Sequence, residues 1–205
     1  TDVSGNSSNC AFNVLVMDTQ DPVVTCPLLQ NSYAADAGQC FTTLSFEASA
    51  TDNCGVAGLA YSVGENLISF PYDFPVGSTP VNVVVTDIHG NTDACYFVVI
   101  VVDEQSPLVA CPTPLNPYTM DAGECNATLS FAAEASDNCE VGGIAYSVGG
   151  NPIDFPYDFP TGATVVDVLV TDIHGNSAVC SYAVVVEDDE QPVITCPVPL
   201  SMYNT

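Results

Sequence analysis

Thr86–Asn91 reads TDIHGN, and Thr171–Asn176 reads the same word again at an offset of 85. Phe70–Pro75 and Phe155–Pro160 both read FPYDFP at that offset. All ten cysteines fall into register: Cys10, Cys95 and Cys180; Cys26, Cys111 and Cys196; Cys40 and Cys125; Cys54 and Cys139. A fixed period of this kind marks a tandem array of one structural unit. The 205 residues hold two periods and part of a third. The phase predicts a closing hairpin of one repeat at 1–20, full repeats at 21–105 and 106–190, and the first strand of a further repeat at 191–205. Both ends are then expected to fall inside repeats, as a segment of a longer polypeptide or as strands completed by neighbouring molecules.

Within one period, short β-branched and apolar runs alternate with Gly, Pro, Asn and Asp clusters, and no stretch carries helical periodicity. The class is all-β. Strands are predicted near 22–27, 40–48, 57–63, 67–70, 79–87 and 94–102, few enough for one sandwich. In 40–48, Leu44, Phe46 and Ala48 alternate with Thr43, Ser45 and Glu47, which puts one face in the core and one in water. The run Tyr96–Val102 is apolar on both faces, as expected if both are covered by protein or if one meets a neighbouring chain. His-Gly-Asn within Asp87–Asn91 supplies the residues a tight hairpin turn needs.

Composition narrows the setting. Ten cysteines at fixed spacings, without CxxC or Cys/His metal spacing, read as disulfides of an oxidising, extracellular compartment. There are 25 acidic residues and no Lys or Arg, where average usage would supply about 25 basic ones. Nucleic acid and anionic lipid are therefore poor partners, and no apolar run is long enough for membrane insertion. Self-repulsion must be offset by bound cations, screening or separation of charge along an extended shape.

The order of motifs carries a resemblance: CP after the linker, GQC at 38–40, TDNCG at 51–55, FPVGST and FPTGAT at 74–79 and 159–164, TDxxGN, a cysteine in the final strand, and DxxxP. The chain resembles the hyalin repeat (HYR) family. The resemblance implies tandem immunoglobulin-like β-sandwiches, an extracellular or cell-surface place linked to adhesion, and no enzyme activity.

Two disulfide schemes stand open. A strand over 22–26 is about 17 Å long, which lets Cys26 reach the end where Cys40 begins the next strand. Cys54 and Cys95 follow loops that share an end in an immunoglobulin-like topology. The first scheme is thus Cys26–Cys40, Cys54–Cys95, Cys111–Cys125 and Cys139–Cys180. The rival joins Cys26 to Cys95 because first and last strands run side by side, but it leaves Cys40 and Cys54 separated by more than about 20 Å of extended chain. Cys10 and Cys196 have no partner within their own partial repeats.

Acidic residues recur where linkers meet loops, an oxygen-rich pattern suited to calcium. One set is Asp18, Asp21, Asp52, Asn53, Asp87 and Asn91; the other is Asp103, Glu104, Asp137, Asn138, Asp172 and Asn176. The competing reading is that these residues only make turns. His89 and His174 lie at matching turn positions with no nucleophile nearby, so no catalytic residue is expected. The FPYDFP word either stacks on a sugar or another chain, or plugs its own core. Asn126 and Asn6 head Asn-x-Ser/Thr sequons, candidate N-glycan acceptors. The expected function is a structural or adhesive extracellular array, self-associating as a fibre, stalk or surface filament with calcium as cofactor. The alternative is a carbohydrate- or protein-binding module appended to a larger surface protein or enzyme.

Overall fold

The computed structural model describes residues 1–196, which divide into two compact units: Thr1–Asp36 with Phe41–Val102, and Ala37–Cys40 with Asp103 onward. Among the described residues the ordered elements are strands, and no helix is long and apolar enough to cross a membrane. The first repeat carries β1 (Val23–Thr25), β2 (Tyr33–Ala34), β3 (Phe41–Leu44), β4 (Ser49–Thr51), β5 (Val56–Val63), β6 (Asn66–Ile68), β7 (Tyr72–Pro75), β8 (Gly77–Asp87) and β9 (Thr92–Val102). The second repeats them as β10 (Leu108–Ala110), β11 (Tyr118–Thr119), β12 (Asn126–Leu129), β13 (Glu134–Ser136), β14 (Val141–Val148), β15 (Asn151–Ile153), β16 (Tyr157–Pro160), β17 (Gly162–Asp172) and β18 (Ser177–Glu187).

In each repeat one layer is a five-stranded sheet, in the order β2-β9-β8-β5-β6 or β11-β18-β17-β14-β15. The two-residue strand at its edge runs parallel to the last strand, Tyr33 beside Val101 and Tyr118 beside Val186. The opposing layer is made of the pairs β1-β4 and β3-β7, with β10-β13 and β12-β16 as their copies. An opening segment that pairs first with one layer and then, in parallel, with the final strand gives the sandwich its immunoglobulin-like topology.

Period-2 alternation sets the core. Along β8, Val81, Val83 and Val85 are fully buried while their neighbours face outward, and β9 adds Phe97, Val99 and Val101. Tyr96, Val98 and Ile100 on the other face of β9 are exposed, so within this chain the strand is covered on one side only. Across the sandwich Phe46 meets Tyr33, Phe70, Phe74 and Phe97 edge-on, at centroid distances of 6.0, 5.8, 5.9 and 5.3 Å. Phe131 repeats this with Tyr118, Phe155, Phe159 and Tyr182. The FPYDFP aromatics thus point inward: Phe74 and Phe159 have no exposure at all, which removes them from any sugar-stacking role.

Three differences from the predicted strands have physical causes. The run 40–48 is split into β3 and β4 because its two halves pair with different partners, β7 and β1. Phe46 and Ala48 still face the core between them, and the Ala48 N–H donates to the Tyr61 hydroxyl at 2.9 Å. Strand β7 was hidden by Pro71 and Pro75, which suit an edge strand that pairs on one side only. At 1–20 the turn forms, with Asp2 Oδ1 accepting from the N–H groups of Ser4 and Asn6 at 2.9 Å each, but no strand follows it. The first strand expected at 191–205 lies partly outside the described residues, and 191–196 carry no strand.

The disulfides correct the first pairing scheme. Cys26 bonds Cys95 and Cys111 bonds Cys180, each with Cα atoms 6.0 Å apart, and Cys40 bonds Cys139. The pairs Cys26–Cys40, Cys54–Cys95, Cys111–Cys125 and Cys139–Cys180 do not form. After β1 the chain crosses to β2 beside Val101, which lies roughly 20 Å along β9 from Cys95. That crossing carries Cys40 away from Cys26, which stays beside the start of β9, where the Val24 N–H donates to Asp93 Oδ2 at 3.0 Å.

Two outcomes follow from this packing. Tyr182 takes the place of Phe97 in the second core; its hydroxyl is buried without a hydrogen-bond partner, and burial, then the nearby Tyr146, pushes its pKa up to about 12. Tyr182→Phe should raise unfolding free energy by about 1 kcal/mol in chemical denaturation, and a loss of stability would contradict the unsatisfied hydroxyl. Replacing Cys111 and Cys180 together with Ala should cost about 2–5 kcal/mol in the same assay.

Candidate functional site

Each repeat gathers three aspartates at one end of its sandwich. In the first these are Asp18 in the segment leading to β1, Asp52 in the loop after β4 and Asp87 at the end of β8. One oxygen from each lies within 4.8 Å of one from each of the others. In the second repeat Asp103, Asp137 and Asp172 make the same set. Each group lies within a single compact unit.

The local sequence explains how carboxylates come to share so small a space. Every one commits Oδ1 to a turn. Asp87 Oδ1 accepts from the N–H groups of His89 and Asn91 at 2.8 Å each, and Asp172 Oδ1 does so from His174 and Asn176 at 2.8 Å. Asp52 Oδ1 accepts from Cys54 N–H at 2.9 Å and Gly55 N–H at 2.8 Å, and Asp137 Oδ1 from Cys139 at 2.9 Å and Glu140 at 3.2 Å. Asp18 and Asp103 Oδ1 accept from Gln20 and Gln105 N–H at 3.1 Å. The second oxygens differ. Oδ2 of Asp87 and Asp172 is held by the Asn91 and Asn176 side-chain amides at 2.7 Å. Those of Asp18, Asp52, Asp103 and Asp137 are buried with no hydrogen-bond donor.

The side chain of Asp103 is fully buried and that of Asp18 retains only 6% exposure. Each Oδ2 there faces an imidazole: His89 Nδ1 at 3.4 Å from Asp18 and His174 Nδ1 at 3.3 Å from Asp103. The Gln20 N–H, then the Cys54 thiol, hold the Asp18 carboxyl below its usual range despite burial. For Asp87 and Asp172 burial acts to raise the pKa, but the Asn91 and Asn176 amides with the turn N–H groups outweigh it, and both carboxyls stay below the usual range. Asp18, Asp87 and Asp172 are therefore ionised, and in a chain without Lys or Arg no side chain beyond the imidazoles can balance them.

Of the twelve predicted ligands, the structure brings six together: Asp18, Asp52, Asp87, Asp103, Asp137 and Asp172. Asn91 and Asn176 serve as clamps, each also donating to the backbone carbonyl of Asp18 or Asp103, at 3.4 and 3.2 Å. Asp21 and Glu104 are exposed and stand outside both groups, because the turns at Asp18 and Asp103 direct the following residues outward. Asn53 donates to Cys54 Sγ, while Asn138 donates to Asp103 Oδ1 at 3.2 Å and to the Gln39 carbonyl at 2.9 Å. The histidines were read from sequence as turn residues only; their place beside a buried carboxylate has no signal in spacing. Cys54 and Cys139 also approach Asp18 with His89 and Asp103 with His174. Cys139 is committed to a disulfide, so the carboxylate group is the donor set that both repeats share. Of the two sequons, Asn6 has its side-chain amide on Asp2 Oδ2 at 2.9 Å, and Asn126 opens β12 with Thr128 Oγ1 2.7 Å from Asp121 Oδ2.

The HYR domain family matches residues 17–101, a span that contains β1 to β9 and the whole Asp18–Asp52–Asp87 group. Those residues are an HYR domain. Hyalin of Lytechinus variegatus is 32% identical to the chain over 207 residues, covering 97% of the chain and 38% of that protein. Hyalin of Strongylocentrotus purpuratus is 31% identical over 205 residues, 96% of the chain and 16% of that protein. The sushi, von Willebrand factor type A, EGF and pentraxin domain-containing protein 1 of Mus musculus is 26% identical, over 98% of the chain and 5% of its own length. The chain spans well under half the length of each of these relatives. The three disulfides agree with an extracellular place for the chain.

The second repeat offers a test of the clamp. Asn176→Ala removes the donor to Asp172 Oδ2 and to the Asp103 carbonyl and leaves a buried carboxylate short of a partner. The melting temperature should fall by several degrees, with Asn176→Asp falling further because it adds a fourth negative charge.

Proposed function

We propose that the chain is a structural and adhesive extracellular array whose aspartate groups bind calcium, one ion per repeat. The observation that carries this reading is the set of buried Oδ2 atoms on Asp18, Asp52, Asp103 and Asp137 that complete no hydrogen bond, each in a group of three carboxylates, with only the His89 or His174 imidazole beside those of Asp18 and Asp103. A buried carboxyl oxygen that completes no hydrogen bond is costly, and a hard cation offsets that cost for several oxygens at once. The Asx-type turns account for Oδ1 and leave Oδ2 unexplained. Asp18 precedes β1, Asp52 lies in a loop between β4 and β5, and Asp87 ends β8, so an ion held by all three would fasten the segment leading into the sandwich to two of its loops. Fastened repeats in series suit a fibre, stalk or surface filament. Their role is to bear load and hold surfaces together, without catalysis.

Three carboxylates, with water or backbone oxygens completing the shell, belong with extracellular modules that bind calcium at about 10⁻⁴–10⁻³ M. Millimolar calcium should raise the melting temperature of the chain in differential scanning calorimetry, and EDTA should reverse the rise. Asp52→Asn with Asp137→Asn should abolish the calcium-dependent rise while leaving the Asx turns on Oδ1. Identical melting curves with calcium and with EDTA would sink the calcium reading.

A further inference from the structure

The bridge Cys40–Cys139 spans 99 residues, which is longer than one period. It therefore joins the GQC position of one repeat to the Asp-Asn-Cys position of the next. Each half has a copy that is left over: Cys125 stands one period after Cys40, and Cys54 stands one period before Cys139. Both are exposed thiols.

Their surroundings are already those of the bonded pair. The loop before Cys40 is fixed by the Gly38 N–H donating to Gln105 Oε1 at 2.7 Å; the loop before Cys125 is fixed by Gly123 N–H donating to Glu190 Oε1 at 2.9 Å. Asp36 Oδ2 accepts from the Thr43 N–H at 3.2 Å, and Asp121 Oδ2 accepts from the Thr128 N–H at 2.9 Å, the same position one period on. On the other side Asp52 Oδ1 holds the Cys54 N–H at 2.9 Å, as Asp137 Oδ1 holds that of Cys139 at 2.9 Å. One difference remains. The cleft beside Cys40, lined by Gly38, Gln105, Ser106 and Leu108, is closed by Ser136–Asn138, and the Asn138 amide donates to the Gln39 carbonyl. The matching cleft beside Cys125, about 410 Å³ between Gly123–Cys125 and Glu190–Val193, is entered by no such loop among the described residues.

We infer that Cys125 and Cys54 are the two complementary halves of an inter-repeat disulfide, and that the occupant of the Cys125 cleft is the Asp52–Gly55 loop of a further HYR repeat, here a second copy of this chain. Asn53, the counterpart of Asn138, then donates to the Glu124 carbonyl as Asn138 does to Gln39. The pairing is head to tail, so each copy keeps one free half at either end and the linkage propagates. The oxidant is a low-molecular-weight disulfide. The Cys125 thiolate attacks one of its sulfurs and releases one thiol; the Cys54 thiolate of the second copy attacks Cys125 Sγ and releases the other. Two protein thiols lose two protons and two electrons, and the small disulfide is reduced to two thiols.

The test uses the full 205-residue chain with Cys10→Ser and Cys196→Ser, folded in a glutathione redox buffer at about 0.15 M salt to screen the acidic surfaces. Non-reducing electrophoresis should show a ladder of covalent multimers that collapses on reduction. Mass spectrometry after cleavage at acidic residues should find a Cys54–Cys125 peptide pair. Cys54→Ser and Cys125→Ser should each stop the ladder while keeping Cys26–Cys95 and Cys111–Cys180, and an equal mixture of the two variants should give dimers and nothing longer. Cys54–Cys54 or Cys125–Cys125 links, a Cys54–Cys125 link within one chain, or a purely monomeric product with intact Cys40–Cys139 would each overturn the inference.

Discussion

A chain with 25 acidic residues and no Lys or Arg cannot neutralise a buried carboxylate with a side-chain cation of fixed charge. Every buried aspartate must then be solvated by N–H groups or by something added. The turns Asp87–Asn91 and Asp172–Asn176 meet this constraint completely: two backbone N–H groups take one oxygen and an asparagine amide takes the other. That arrangement allows Asp87 and Asp172 to sit at 2% and 4% exposure at the end of a core strand. Asp18, Asp52, Asp103 and Asp137 meet it only by half, and the unmet halves converge. The site is the remainder left when turn chemistry has been used up.

The same constraint shapes the core. Strands β8 and β17 bury Val on every second residue and finish on the aspartate that organises the turn, so register, core and site are one object. A slip of one residue would bring Asn82 or Asp167 inside and put the turn aspartate in water. The disulfides Cys26–Cys95 and Cys111–Cys180 tie β1 or β10 to the final strand of the same repeat, beside the site's end of the sandwich. They fasten the opening segment at the place where the layer pair β1-β4 is shortest, with three residues in each strand.

Periodicity, the all-β class and the alternation in 79–87 were legible because they depend on residues close in sequence. The three aspartates were legible as turn residues that recur at one offset. What was not legible depends on where the chain goes between elements. A two-residue strand such as Tyr33–Ala34 has no periodicity to read, yet it decides that Cys40 leaves Cys26 behind. FPYDFP reads as a recognition word because prolines and aromatics share it, and only the opposing Phe46 shows that its rings face inward. The assumption that bridges close within a repeat counted against the correct pairing: once Cys40 is free to reach the next repeat, Cys26–Cys95 no longer requires a bond between Cys40 and Cys54. His89 could not be placed beside Asp18, since the direction of one turn side chain is set by a segment remote in sequence.

The order of the bridges along the chain has a mechanical consequence. Cys26–Cys95, Cys40–Cys139 and Cys111–Cys180 interleave, so each spans one end of its neighbour. A single backbone cut anywhere between 26 and 180 is then spanned by at least one bridge, and the two pieces stay joined. Between 95 and 111, where the repeats meet in sequence, the spanning bond is Cys40–Cys139 alone. Two bridges confined to their own repeats would leave that stretch as a weak link, cleavable by one proteolytic event or extendable under tension without breaking a covalent crosslink. The inter-repeat bond removes it, and in doing so leaves one of its two complementary thiols, Cys54 and Cys125, unpaired on either side of the two repeats. An array built this way is as strong at its junctions as within its repeats only for as long as the next repeat is present to complete the bond.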